Sequence, residues 1–440
     1  MSNQIIHITA LDCLQFKDER AKADILQTFI ETQQDKIFNL SNNYKSDETS
    51  ILAEYDFKQK SWVAGRFVGE SIFNHNDQQY KITIKPRFGE AFLLRMLEQI
   101  FNIRITKSLS EQTNAEDWQH YIKKILAFIW VQKLANANIH GLPKIHINNE
   151  FKGQSIKGRL NIRKSIIPFR SNNEVVSISR EKIIDSTIAQ IIFQAFRIIK
   201  KDFLISYGIN FPDAAQDAIN QIKREIKRIE YISESEYRNI KYKAIYLSWK
   251  PIVDFSWDIV KRKKQSLKQT QPKNGFGFFI DIAEIWEQYL RTILKRNLQP
   301  LGWHYKTEKQ IAYKGFFFQR ELIPDFVFEK NNQLLVFDAK YKRMNGTYGD
   351  VDRADFFQIH TYIQNFLNHY EVKAGGLLYP LINYDIDFSR YKSSELLHEK
   401  GVKLNYVIDG IELREEEIQK LDFEILEKRF TDRVFRHINA

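Results

Sequence analysis

The sequence predicts a multidomain α/β protein, and three observations predict it. Residues 1 to about 95 read as short alternating strands. Residues 115–260 carry mainly helical apolar spacing. Beyond a basic polar stretch, apolar strands alternate with helices. The expected divisions are a β-rich region 1–110, a mainly helical region 111–265 and an α/β domain 266–440. With 440 residues, 43% of them hydrophobic and 14% aromatic, the chain has material for large cores and too much of it for disorder.

In the first region, Trp62–Phe73 and Tyr80–Phe88 alternate apolar and polar residues and are expected as strands, joined by a turn at Asn74–Gln79. Tyr80, Ile82 and Ile84 share one face, and Pro86 stops the ladder. Glu90–Phe101 has the helical period. In the middle region, Trp118–Leu134, Lys182–Phe203 and Ala218–Ile232 read as helices, the second apolar enough for the inside of a bundle. Between the first two, Phe151–Arg170 holds six Lys/Arg and no acid. Lys157, Arg159 and Arg163 there are candidate nucleic-acid contacts, a solvated basic surface being the plain alternative. Lys261–Gly275 is polar and basic and is expected as a linker or loop. The last region offers a helix, Asp281–Leu298, then apolar strand-like runs at Phe316–Phe328, Gln333–Tyr341 and Ala374–Ile382. A second helix, Asp355–Tyr370, lies between the last two runs.

The stretch Ile323–Arg343 carries the chemistry. Pro324-Asp325 opens an apolar strand, a polar turn follows at Glu329–Gln333, and a second apolar strand ends in Asp338-Ala339-Lys340. Antiparallel pairing would bring Asp325 and Asp338 together at one sheet end, with Lys340 on the face of Asp338. This is the PD-(D/E)xK pattern of metal-dependent nucleases. Mg²⁺ takes hard oxygen ligands and keeps several waters, so Asp325, Asp338 and the carbonyl of Ala339 are the candidate ligands, with Mn²⁺ as a substitute. Lys340 would assist attack on a phosphodiester, a donor of this kind being worth about 3 kcal/mol. A surface hairpin with a weak Lys–Asp pair is the bland alternative. A second match, Pro212-Asp213 with Glu225-Ile226-Lys227, fails on context because it lies in amphipathic helical sequence.

Neighbouring residues add to the set. Glu287, or less well Glu284, could supply a further ligand from the helix before the hairpin. Gln358, sharing a helix face with Tyr362, could orient water or phosphate. Lys342 and Arg343 suit phosphate contacts, and Arg343–Asp355 reads as a loop over the site.

Charge and absences narrow the class. A net charge of +11 points to an anionic partner, nucleic acid first. With Cys13 as the one cysteine, neither an intrachain disulfide nor a thiolate metal cluster can form. The sequence shows no signal peptide and no membrane-spanning run, which favours the cytoplasm, and it holds no GxxxxGK[ST], GxSxG or HExxH motif.

The layout resembles the McrC family, nuclease subunits of McrBC-type modified-cytosine restriction systems. The likeness rests on Gly65–Gly69 (GRFVG), ITIKPRF, LLRML, FKGQSIKGRLNIRKSI, IWEQYL, IPDFVF, LLVFDAKYKR, the Asp355/Gln358/Tyr362 helix and GGLLYP. Ile323 stands where the family usually has a basic residue. The resemblance implies a restriction-endonuclease-like C-terminal domain and an anti-phage DNA endonuclease. It also implies that residues 1 to about 260 engage and stimulate a hexameric AAA+ GTPase, which reads modified DNA. An activating module with a silent nuclease domain, or a solitary repair nuclease, are the alternatives.

Overall fold

The computed structural model describes residues 5–33, 37–38, 51–101, 115–202, 211–268, 277–306, 310–342, 351–367, 369–382, 405–413 and 422–439. Contacts divide the chain into two units, Met1–Ser110 with Gly277–Ala440, and Glu111–Phe276.

The first unit begins with β1 (Ile6–Leu11), α1 (Ala23–Gln33), the short β2 (Ile37–Phe38), β3 (Ala53–Asp56), β4 (Ser61–Ala64), β5 (Phe67–His75), β6 (Gln78–Lys85) and α2 (Glu90–Phe101). Trp62–Phe73, expected as one strand, is two. At Gly65 an added Cβ would lie 1.9 Å from the Ile51 carbonyl oxygen, so only glycine lets the chain turn there against its neighbour. The β5–β6 turn is tighter than expected: Asn76 and Asp77, both at positive φ, suffice, as in a two-residue hairpin. β1 pairs parallel to β6, burying Ile8 and Ala10 beneath Ile25, Leu26 and Phe29 of α1.

The second unit holds α3 (Ala115–Ala137), β7 (Lys144–Gly153), β8 (Arg159–Leu160), α4 (Ile162–Asn172), β9 (Val175–Ile184), α5 (Ser186–Asp202), α6 (Asp213–Glu225), α7 (Glu234–Arg238) and α8 (Lys250–Lys268). It is less helical than expected, because β7, β9 and β8 form a three-stranded sheet. Lys182–Ile184, expected in a helix, close β9. Asp185 Oδ1 then accepts from the Thr187 and Ile188 N–H groups and starts α5. Residues 226–232, also expected in a helix, lie beyond α6, and the Gln190 and Gln194 side chains donate to the Arg228 and Glu230 carbonyls. The expected linker Lys261–Gly275 is helical up to Lys268; its remainder lies outside the described residues.

The first unit resumes with β10 (Phe278–Asp281), α9 (Ile282–Leu298), β11 (His304–Lys306), β12 (Gln310–Lys314), β13 (Gln319–Leu322), β14 (Phe326–Lys330), β15 (Gln333–Ala339), α10 (Arg353–Leu367), β16 (Glu371–Ile382), β17 (Asn405–Leu413) and α11 (Phe423–Asn439). β10 enters the N-terminal sheet, whose order is β1-β6-β5-β10-β2. Asp281 ends it, caps α9 through the Ala283 N–H (3.0 Å) and pairs with Arg66 at 3.0 Å. A second sheet runs β11-β14-β15-β16-β17, with β14 antiparallel to β15 and β15, β16 and β17 parallel. Its core joins Val327, Leu334, Val336, Leu377 and Tyr379 to Ile359, Ile363 and Phe366 of α10. The parallel strands are apolar almost throughout because helices cover them. At Gly376 an added Cβ would stand 1.7 Å from the Val407 carbonyl oxygen, so glycine sets how closely β16 and β17 approach. Of the expected apolar run Phe316–Phe328, Val327 enters this core with Leu322 packed against it, and Phe326 and Phe328 are buried; Phe316–Phe318 form the exposed turn of the β12–β13 hairpin.

Candidate active site

Antiparallel pairing of Phe326 with Phe337 places Asp325 beside the end of β15, where Asp338 stands. Asn331 and Asn332, both at positive φ, make the turn that fixes this register. Asp325 and Asp338 are 7% and 2% exposed. The Ala339 N–H donates to Asp325 Oδ2 at 2.8 Å, which ties the two strand ends together. The Lys340 N–H donates to the Leu378 carbonyl, anchoring the next residue to β16.

The Lys340 ammonium is the hub of the site. It lies 2.7 Å from Asp338 Oδ2 and 3.3 Å from Asp355 Oδ1, and donates to Gln358 Oε1 at 2.7 Å. Gln358 Nε2 donates in turn to the Tyr362 hydroxyl at 2.8 Å. Asp355, Gln358 and Tyr362 share one face of α10, as their spacing demands. Lys342 donates to Asp355 Oδ2 at 2.6 Å, so this carboxylate bridges two lysines. Burial by itself would lower the Lys340 pKa, but the Asp338, Asp355 and Asp325 carboxylates outweigh it and hold the amine protonated, well above its usual range. Burial, helped by Asp355, pushes the hydroxyls of Tyr379 and Tyr406 upward, so both stay neutral.

Three buried carboxylates face two ammonium groups here. The donors are hard oxygens and the local balance is negative, which suits a divalent cation of the Mg²⁺ kind. Among the described residues no group of three or more His, Cys, Asp or Glu side chains converges to hold a metal ion. Glu287 of α9 is paired with Arg291 one turn on, and Glu284 accepts from Gln288 at 3.0 Å.

With this geometry in hand, comparison with known proteins places the chain. The model of the family described as McrBC 5-methylcytosine restriction system component matches residues 64–380. The chain belongs to the McrBC family. No curated protein matches it. Two solved assemblies from Thermococcus gammatolerans are similar to it. One is a half-complex from a tetradecameric assembly of McrB AAA+ hexamers with bound McrC, with 13% identity, 97% of this chain and all of that chain covered, and a TM-score of 0.48. The other is the McrBC complex, with 15% identity, 66% and 88% coverage and a TM-score of 0.35.

Other residues of this McrBC-family chain fall elsewhere or escaped the sequence. Lys157, Arg159 and Arg163 are exposed in the second unit, around β8 and the start of α4, and the Lys157 ammonium sits 4.2 Å from the Phe151 ring centre. Arg343 and most of the expected loop lie outside the described residues. Asp355 was legible as the start of a helix and as part of the Asp355/Gln358/Tyr362 likeness, but its contacts with Lys340 and Lys342 were not. Tyr305 gave no signal. Its hydroxyl donates to the Asp325 carbonyl at 3.2 Å, and its ring takes the Lys295 ammonium at 3.9 Å. Arg87, from the PRF segment after β6, donates to the Tyr341 carbonyl at 2.9 Å and stacks on the Tyr341 ring. Its N–H donates to Asp12 Oδ1 at 2.5 Å, and burial pushes the Asp12 carboxyl up to about 6 despite Arg87. The N-terminal sheet thus grips the residue next to Lys340. Among the described residues no helix is long and apolar enough to cross a membrane.

Proposed function

We propose that this chain is the DNA-cleaving subunit of a McrBC-type restriction complex, a Mg²⁺-dependent endonuclease of the PD-(D/E)xK type. The supporting observation is the convergence of Asp325, Asp338, Lys340 and Gln358 at one end of an antiparallel strand pair. Asp325, Asp338 and the Ala339 carbonyl would hold the ion, Mg²⁺ or Mn²⁺. When bound, the ion supplies Lewis-acid stabilisation of charge building on the scissile phosphate. Lys340, kept protonated by its carboxylate neighbours, donates from Nζ to a phosphate oxygen or an attacking water. Gln358 orients the same group, held at its other end by Tyr362. Lys342 meets a flanking phosphate. Residues 1 to about 260 serve a second role, engaging and stimulating an AAA+ GTPase; in the archaeal assembly McrC is bound to McrB AAA+ hexamers. The intact set of two acids and a lysine favours an active nuclease over a silent one.

The test is cleavage of supercoiled modified plasmid in Mg²⁺, with the AAA+ partner and GTP present, by wild type and Lys340→Met. The variant is expected to assemble normally and to cut more slowly by about a hundredfold or more. Equal rates would remove Lys340 from the mechanism and the nuclease assignment with it.

A further inference from the structure

The β12–β13 hairpin turns at Gly315-Phe316-Phe317-Phe318, and the Phe316 and Phe317 side chains are 96% and 92% exposed. The turn is nonetheless built. The Gly315 N–H donates to the Phe318 carbonyl at 3.0 Å, and Tyr313 stacks on Phe318 with ring centres 4.6 Å apart. The Arg320 guanidinium lies 5.7 Å from the centre of the Phe318 ring, and Phe316 and Phe317 meet edge to face at 5.2 Å. Two large rings are therefore presented to solvent from a braced ribbon, against the ordinary preference of phenylalanine for the interior.

The place of this ribbon matters more than its exposure. β13 runs through Ile323 and Pro324 directly into Asp325. The chain from Phe318 to Asp325 can span at most about 23 Å when extended, roughly the length of six or seven base steps. The exposed cations Lys314 and Arg320 flank the rings. The nearest acid, Glu321, accepts a hydrogen bond from Gln319 at 3.2 Å. Flat apolar faces beside cations match a ligand that itself combines flat apolar faces with anions. Nucleic acid is that ligand; an apolar protein surface would make no use of the cations.

We propose that Phe316 and Phe317 contact the nucleobases of duplex DNA bound at the cleavage site, wedging at a base step near the scissile phosphate. This rests on the nuclease reading above. Apolar side chains inserted at a base step unstack it, and the resulting bend brings more of the duplex onto the protein. The cations alongside would take the adjoining phosphates.

The full chain, in EDTA to prevent cutting, is titrated against a short labelled duplex and against the same duplex carrying 2-aminopurine, which brightens when unstacked. Wild type is expected to bind and to raise the 2-aminopurine emission. Phe316→Ala/Phe317→Ala should bind roughly tenfold more weakly, give no rise in emission and keep the salt dependence of wild type, since no phosphate contact is removed. Both positions are exposed, so its melting temperature should not change. Unchanged affinity in the variant, or no brightening with wild type, would overturn the proposal. So would self-association of wild type that the double substitution abolishes, because the tip would then cover a second copy. Asp338→Asn separates the two readings: it should brighten the probe like wild type, and if it also cuts in Mg²⁺, the nuclease reading fails independently of the wedge.

Discussion

At the scale of single residues, the site is governed by buried charge. Burial alone would lower the pKa of Lys340, and three neighbouring carboxylates outweigh it and hold the amine protonated. Asp281 shows the opposite balance: burial pushes its carboxyl from 3.8 up to about 6, Arg66 only partly opposing. A folded-state pKa above the unfolded one means that folding takes up a proton in that interval. The protonated form therefore adds stability below about pH 4, and the gain is lost as pH rises through about 6. Asp281→Asn keeps an acceptor that can cap α9 and cannot ionise. Relative to this variant, wild type should lose on the order of 2–3 kcal/mol between pH 4 and pH 7. Urea unfolding at the two pH values measures it; a pH-independent difference would show that Asp281 ionises freely. At this scale the sequence was informative where chemistry repeats at short range: Asp338 and Lys340 are two apart on a strand, and Gln358 and Tyr362 four apart on a helix. It was silent on Arg87, Tyr305 and the bridging role of Asp355, which depend on contacts between residues far apart in the chain.

At the scale of elements, position follows from pairing. The Asn331-Asn332 turn sets the β14–β15 register, and the register sets the two aspartates side by side. β16 then fixes Lys340 through the Leu378 carbonyl, while β17 packs on the other side of β16 through the gap left by Gly376. Gly376→Ala should force these strands apart and cost about 3 kcal/mol or more, with cleavage falling in parallel. Chemical denaturation measures the loss, and a change below 1 kcal/mol would show that the strands yield easily. The helices of the C-terminal region were legible because a buried stripe repeats over several turns. β7 and β9 were not. In β7 most positions alternate between exposed and half-buried, and β9 buries Val176 and Ser177 before a run of four exposed residues, so the apolar signal that marks a strand is weak in both. The split at Gly65 was invisible for another reason, since only the approach of Ile51 explains it.

At the scale of the whole molecule, the chain is not built in sequence order. β10 follows the middle unit, yet it lies between β5 and β2 and buries Phe279 in the N-terminal core. Arg87 joins that same region to Tyr341. A fragment spanning residues 266–440 should therefore fail to fold alone: its first strand lacks both partners and Phe279 its covering. Circular dichroism on heating is expected to show no cooperative transition, and a cooperative one would mean that the β11-β14-β15-β16-β17 sheet is self-sufficient. The same interleaving means that movement of the N-terminal sheet would be felt at Tyr341, one residue from the candidate catalytic lysine.

The measurement that bears most directly on the central claim is Mn²⁺ binding and Mn²⁺-dependent plasmid cleavage, wild type against Asp338→Asn. Wild type should bind Mn²⁺ and cut, with both lost on chelation. The variant should keep its melting behaviour and lose both binding and cutting. A variant that binds the ion and cuts as well as wild type would contradict the assignment of Asp338, and with it the cleavage site proposed for this chain.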